Sequence, residues 1–158
     1  MTATDIISCI VGIISLLISV SAIIISCNTA RKQTKLSLFN KRYDFYVACD
    51  IICGCCLIGM PDAITTRFQA FGIELDHYAF EGSRFLFDRE TSDLICSIYT
   101  KGMAFRDIAY YLSQAENGEV EKDATVYDRC VLEKEDTLRF LKNARVQLDA
   151  KFKKYLHV

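Results

Sequence analysis

The side chains of this 158-residue chain best suited to chemistry are eight cysteines and two histidines. Cys49, Cys53 and Cys56 recur at helical spacing, so their thiols share one face and offer three corners of a tetrahedral metal site. The fourth corner is missing, because no CxxC pair recurs and no histidine lies nearby. His77 and Glu81, four apart in "HYAFE", supply two donors on one face where a metal needs three or four. His157 stands one residue from the end of the sequence. Crowded as they are on one probable helix, and in Cys9 and Cys27 within an apolar run, the thiols form no loop-stapling framework. They read as reduced, small hydrophobes. GxGxxG, GxxxxGK[ST], GxSxG and HExxH are all absent, and no pairing of carboxylates can be read from spacing. No catalytic, cofactor-binding or metal residue is assigned, and the chain is read as a non-enzyme without a cofactor.

Two other groups carry potential chemistry. Asp50 interrupts an otherwise apolar or aromatic repeat, where an unpaired carboxylate is costly to bury. It is expected to pair with an Arg or Lys of a neighbouring helix or to sit at the wet edge of the seam; the sharper alternative is that it sets register or oligomer state. Phe68, Phe71, Tyr78, Phe80, Phe85 and Phe87 cluster with Arg67 and Arg84, a mixture that can stack a base but that more often forms bundle core beneath snorkelling arginines.

The elements that must position these residues begin with "IISCIVGIISLLISVSAIIISC", residues 6–27, which has no charged side chain. At about 1.5 Å per residue it reaches about 33 Å, enough for a hydrocarbon core of about 30 Å. The preceding "MTATD" has one acid and no base, and the run exceeds the apolar core of a signal peptide, so it reads as a transmembrane anchor. Arg31, Lys32, Lys35, Lys41 and Arg42 follow with no acid before Asp44. This positive-inside bias puts the C-terminal part in the cytoplasm and the N-terminus outside, with the same cations available to lipid headgroups. Small residues recur through the anchor at Ser8, Gly12, Ser15, Ser19, Ala22 and Ser26, spaced 4, 3, 4, 3, 4. Hydrophobic force does not draw helices together in lipid, so a small face that allows close backbone approach predicts a homo-oligomer, and its seven-residue period suits a left-handed crossing.

Beyond the anchor, Leu36, Phe39, Tyr43, Tyr46, Cys53, Leu57 and Met60 keep a 3-4 repeat, helical in period, up to Pro61, which is expected to stop the helix. Stepping by seven from Ser8 reaches Ala22, Leu36, Tyr43 and Asp50. Ile64, Phe68, Phe71, Leu75, Tyr78 and Phe85 continue a helical pattern through 62–87, interrupted by Gly72 and Gly82. Asp88 has the position of an N-cap for a third cytosolic helix. "SQAENGEVEKD" reads as a loop, and Val131, Leu138, Leu141, Leu148, Phe152 and Tyr155 mark a last amphipathic helix. One proline, no tryptophan and 25% charged residues fit an all-α chain. The expected architecture is a transmembrane anchor at 6–27, a juxtamembrane helix at 28–60 continuous with it or hinged to it, and a cytosolic bundle at 61–158 that brings the cytosolic helices to about four.

"KLSLFNKRYDFY" soon after the anchor, "SRFLFDRE" between the middle helices and the terminal "FKKYL" resemble a widespread group of small bacterial membrane proteins with one N-terminal anchor and a cytosolic helical domain. The resemblance implies architecture and carries no activity or functional residues. In architecture alone, the chain is also similar to membrane effectors of bacterial antiviral systems, some of which pair a short anchor with a small cytosolic sensor. The expected partners are membrane lipid, further copies of the chain and an unspecified cytosolic protein or nucleotide. A net charge of −1 argues against a nucleic-acid duplex. Two functions compete: an oligomeric effector that perturbs the membrane when triggered, and a passive scaffold that recruits a cytosolic partner.

Overall fold

A computed structural model describes residues 3–73, 80–121 and 123–155. The described chain is all-helical, with no strand. It contains α1 (Ala3–Leu57), α2 (Ala63–Ala70), a 3-10 turn (Gly82–Phe85), α3 (Arg89–Glu116) and α4 (Ala124–Phe152). Two compact units divide it, Met1–Leu38 and Phe39–Val158. The first is the N-terminal part of α1, and every side chain described in it is exposed.

In the second unit the rest of α1 packs against α3 and α4. The buried face of α1 runs through Phe45, Ala48, Cys49, Ile52, Cys53 and Cys56. This corrects the seam expected from the sequence. Cys53 is buried, and Phe39, Tyr46 and Leu57 are half-buried, but Leu36, Tyr43 and Met60 are exposed. The segment "IICGCCL" is apolar at almost every position, so its period does not say which side faces inward. The choice falls to close packing. Ile52 presses so near α3 that a Cβ on Gly102 would stand 2.2 Å from its Cγ2.

Gly59, at φ +73°, closes α1 just beyond its last helical residue, Leu57. Its N–H donates to the Cys56 carbonyl and that of Met60 to the Cys55 carbonyl, the bond pattern of a Schellman cap. The stop expected at Pro61 therefore falls earlier, and Pro61 instead opens the turn into α2, where the Ile64 N–H donates to its carbonyl. Gly72 (φ +64°) ends α2 in the same way, with Ile73 donating to the Phe68 carbonyl. The helical pattern expected across 62–87 is thus broken after Ala70, because its periodic residues outlast a helix that glycine has already closed. Phe80 and Phe87 are core, whereas Phe71 and Phe85 are exposed and belong to no buried aromatic cluster. Leu75, His77, Tyr78 and His157 lie outside the described residues.

Asp88 caps α3, its carboxylate accepting the Thr91 N–H at 2.9 Å. The helix takes in Ser113–Glu116 of the expected loop. Asp123 caps α4 through the N–H groups of Thr125 and Val126, at 2.9 and 3.3 Å. Thr137, Leu141, Ala144, Leu148 and Phe152 form the buried stripe of α4. Full burial of each Leu or Phe contributes about 1.5–3 kcal/mol, so this stripe and the face of α1 supply much of the drive to form the bundle.

Candidate functional site

The first candidate is the apolar part of α1. Its most apolar 18-residue window has a mean hydropathy of 2.7, and none of that window is buried by the rest of the protein. By length and composition this is a helix able to cross a membrane. Ser8, Gly12, Ser15, Ser19, Ala22 and Ser26 are all exposed on it. The Ser19 hydroxyl donates to the Ser15 carbonyl and that of Ser21 to the Leu17 carbonyl, both at 2.8 Å. A donor turned onto its own helix needs no second partner in an apolar medium. What the face offers a neighbour at Ser19 is therefore closeness of backbone more than a free hydroxyl.

The second unit holds a site that sequence reading did not assemble. The three stretches "KLSLFNKRYDFY", "SRFLFDRE" and "FKKYL" meet at one corner. Arg42 donates from Nε to the Leu86 carbonyl at 3.1 Å and places its guanidinium 5.0 Å from the centre of the Tyr155 ring. Phe87 meets Tyr155 edge-on at 5.1 Å and Phe152 at 4.9 Å, and Phe45 meets Phe87 edge-on at 5.8 Å. The Asp88 N–H donates to the Tyr155 hydroxyl at 2.9 Å. Lys154 hydrogen-bonds the Asp88 carboxylate, and Lys151 reaches Glu90 at 2.9 Å. The Lys154 ammonium and the Thr91 N–H hold the Asp88 carboxyl well below the usual carboxylate range. Phe45 and Phe87 are recognisable as apolar, but no spacing rule joins Arg42 to residues more than 40 positions away.

That corner changes the reading of the basic run. Arg31, Lys32, Lys35 and Lys41 are exposed, but Arg42 is half-buried and engaged by Leu86 and Tyr155. Four cations of the five remain exposed.

Asp50 meets Arg145 of α4, Nε to Oδ1, at 2.8 Å, with both side chains nearly half exposed (41% and 48%). An ion pair so placed contributes about 0–1 kcal/mol. Beside it the Tyr46 hydroxyl donates to Asp149 at 2.8 Å, which pushes the Tyr46 pKa up to about 12. Spacing marked Asp50 as a residue needing a partner; only tertiary packing names Arg145.

The thiols divide by burial. Cys49, Cys53, Cys55 and Cys56 are free and buried, and Cys27 is free and exposed. Burial pushes Cys53 and Cys56 up to about 12 and raises Cys49 well above its ordinary value. They are neutral at physiological pH and weak nucleophiles. Among the described residues, no group of three or more His, Cys, Asp or Glu is arranged to hold a metal ion.

Compared with family models, curated proteins and solved structures, the chain matches none.

Proposed function

We propose that the chain is a single-pass protein of the bacterial inner membrane, with residues 6–27 as the anchor, the N-terminus outside and the helical second unit in the cytoplasm. The observation that carries this reading is the apolar stretch of α1 that no part of the fold covers. Left in water, such a surface is a large unfavourable term; lipid removes it. The cations Arg31, Lys32, Lys35 and Lys41, all exposed and all on the C-terminal side of the stretch, support the orientation.

Copies associate through the small face of the anchor, and the cytoplasmic unit serves as a sensor or interaction module. In this reading the protein is an oligomeric effector that perturbs the membrane when triggered, of the architecture found among bacterial antiviral effectors, and carries out no catalytic step. A scaffold that recruits a cytosolic partner is the second reading. It is favoured by Phe85, 93% exposed on a turn braced by the Arg42–Leu86 hydrogen bond, since a rigidly held aromatic is the usual anchor of a protein contact.

Two measurements test the proposal. A reporter fused after Val158 is expected to be active in a form that works only in the cytoplasm and silent in one that works only outside it; the opposite pattern would sink the topology. Induced expression of the full chain is expected to depolarise cells, whereas a variant with Lys at Ile14 and Ile18, unable to insert, leaves the potential unchanged. Undisturbed growth and potential at high levels of the inserted full chain, with and without phage challenge, would favour the scaffold.

A further inference from the structure

The first cations after the apolar stretch share one side of their helix. Asn28, Arg31, Lys32 and Lys35 are spaced 3, 1 and 3, which brings all four within about 100° of arc on an α-helix. All four are exposed, and with Ala30 and Thr34 they line a hollow of about 580 Å³, within the range of about 300–1,000 Å³ of small-ligand sites. The Thr34 hydroxyl is turned onto the Ala30 carbonyl at 3.0 Å, which leaves the Asn28 amide and the three cations to meet a ligand. Elsewhere the chain neutralises cations with its own carboxylates, as in Arg145 with Asp50, Lys151 with Glu90 and Lys154 with Asp88. Here it does not. No acid stands between Ile6 and Tyr43, and no ion pair among the described residues includes Arg31, Lys32 or Lys35. Their counter-charge comes from outside the chain.

We propose that Asn28, Arg31, Lys32 and Lys35 form a site for the phosphate of an anionic phospholipid in the cytoplasmic leaflet. The inference rests on the proposed anchor at 6–27 and adds to it a lipid class and the residues that hold it. Depth selects the occupant. With residues 6–27 in the hydrocarbon core, residues 28–35 rise about 10 Å beyond it, against a polar layer of about 5–8 Å on each side of that core. The site stands at the level of the lipid phosphates. Its chemistry agrees: Arg31 presents a planar fork that matches two phosphate oxygens, Lys32 and Lys35 add point charges, and the Asn28 amide is a neutral donor nearest the core. A zwitterionic headgroup brings its own cation to this face and gains less, so the site sorts lipids by net charge. A topology signal alone needs only that cations follow the span, on any side of the helix. Arg42 takes no part, because Leu86 and Tyr155 engage it, and Lys41 belongs to the second unit.

The test uses the full chain in uncharged detergent at low ionic strength, where topology plays no part, titrated with phosphatidylglycerol or phosphatidylcholine. Native mass spectrometry counts the lipids retained. Each cation near an anionic surface strengthens binding about fivefold, so phosphatidylglycerol is expected to be retained at least about fivefold more than phosphatidylcholine. The triple variant Arg31→Gln, Lys32→Gln, Lys35→Gln keeps side-chain length and helix propensity and is expected to hold the two lipids equally. A matched triple variant, Lys41→Gln, Arg129→Gln, Lys142→Gln, removes three exposed cations of the second unit and is expected to keep the parent's preference. Equal retention of both lipids by the parent, or a preference reduced as much by the matched variant, would overturn the site. So would a single-stranded oligonucleotide that displaces phosphatidylglycerol from the parent, which would assign the face to nucleic acid. Alkaline extraction of the parent from phosphatidylcholine vesicles tests the anchor separately. A chain that stays in the vesicles yet shows no lipid preference would overturn this inference alone, and a chain that is extracted would overturn the anchor with it.

Discussion

The guanidinium of Arg42 lies 5.0 Å from the centre of the Tyr155 ring while its Nε holds the Leu86 carbonyl at 3.1 Å. One side chain of α1 thereby ties down both the turn that leads into α3 and the segment that follows α4. Tyr155 in turn accepts the Asp88 N–H and packs edge-on against Phe87. The end of the last helix is fastened to the start of the third, and both to α1.

Tyr155 separates the two kinds of contact. Tyr155→Phe leaves the ring in place and takes away the acceptor of the Asp88 N–H, an expected loss of about 0.5–1.5 kcal/mol. Tyr155→Ala also removes the edge-on contact with Phe87 and the surface under Arg42, raising the expected loss to about 1–3 kcal/mol. Urea unfolding of the full chain in detergent, followed by circular dichroism, measures both. Equal losses would mean that the ring contributes nothing beyond its hydroxyl.

Gly102 and Ile52 form a steric pair. Gly102→Ala drives a methyl group into Ile52, and overpacking of this kind costs about 1–3 kcal/mol. Ile52→Ala alone opens a cavity at a cost of about 2–5 kcal/mol. In the double variant the new methyl group enters the vacated space, so the combined loss is expected to fall short of the sum by about 0.5–3 kcal/mol. Strict additivity in the double-mutant cycle would show that the two helices are not in contact there.

Asp88 makes the corner sensitive to acid. Its carboxyl is held below the ordinary range chiefly by Lys154 and then by the Thr91 N–H, so the folded form binds a proton less readily than the unfolded chain. The resulting stability is complete above the unfolded pKa of about 3.9 and is lost as pH falls below it. Glu90, lowered by Lys151, acts in the same direction. Asp88→Asn is therefore expected to melt below the parent at pH 7, with the gap closing as pH drops under about 4. A gap that stays constant down to pH 2 would rule out the carboxylate as its source.

Much of the architecture was legible in the sequence for physical reasons that act locally. An uncharged apolar run specifies a helix of membrane length whatever surrounds it. Asp88 was recognisable as a cap because a cap bonds to N–H groups three residues away. The stripe from Leu141 to Phe152 was recognisable because burial on one side of a helix repeats with the helix. Helix ends were less legible: Pro61 is the more familiar breaker, yet Gly59 reached the left-handed conformation first and closed α1 before it.

Tertiary structure decided the rest. Where the positions of α1 from Ile51 to Leu57 are almost all apolar, periodicity cannot choose a buried side, and Gly102 is what leaves room for Ile52 to enter. Tyr43 was left outside as a result. The partner of Asp50 is 95 residues away and that of Arg42 more than 40 away in the turn and 113 in the tail. No local rule reaches so far, because such pairs exist only after the chain has paid the entropy of bringing its helices together.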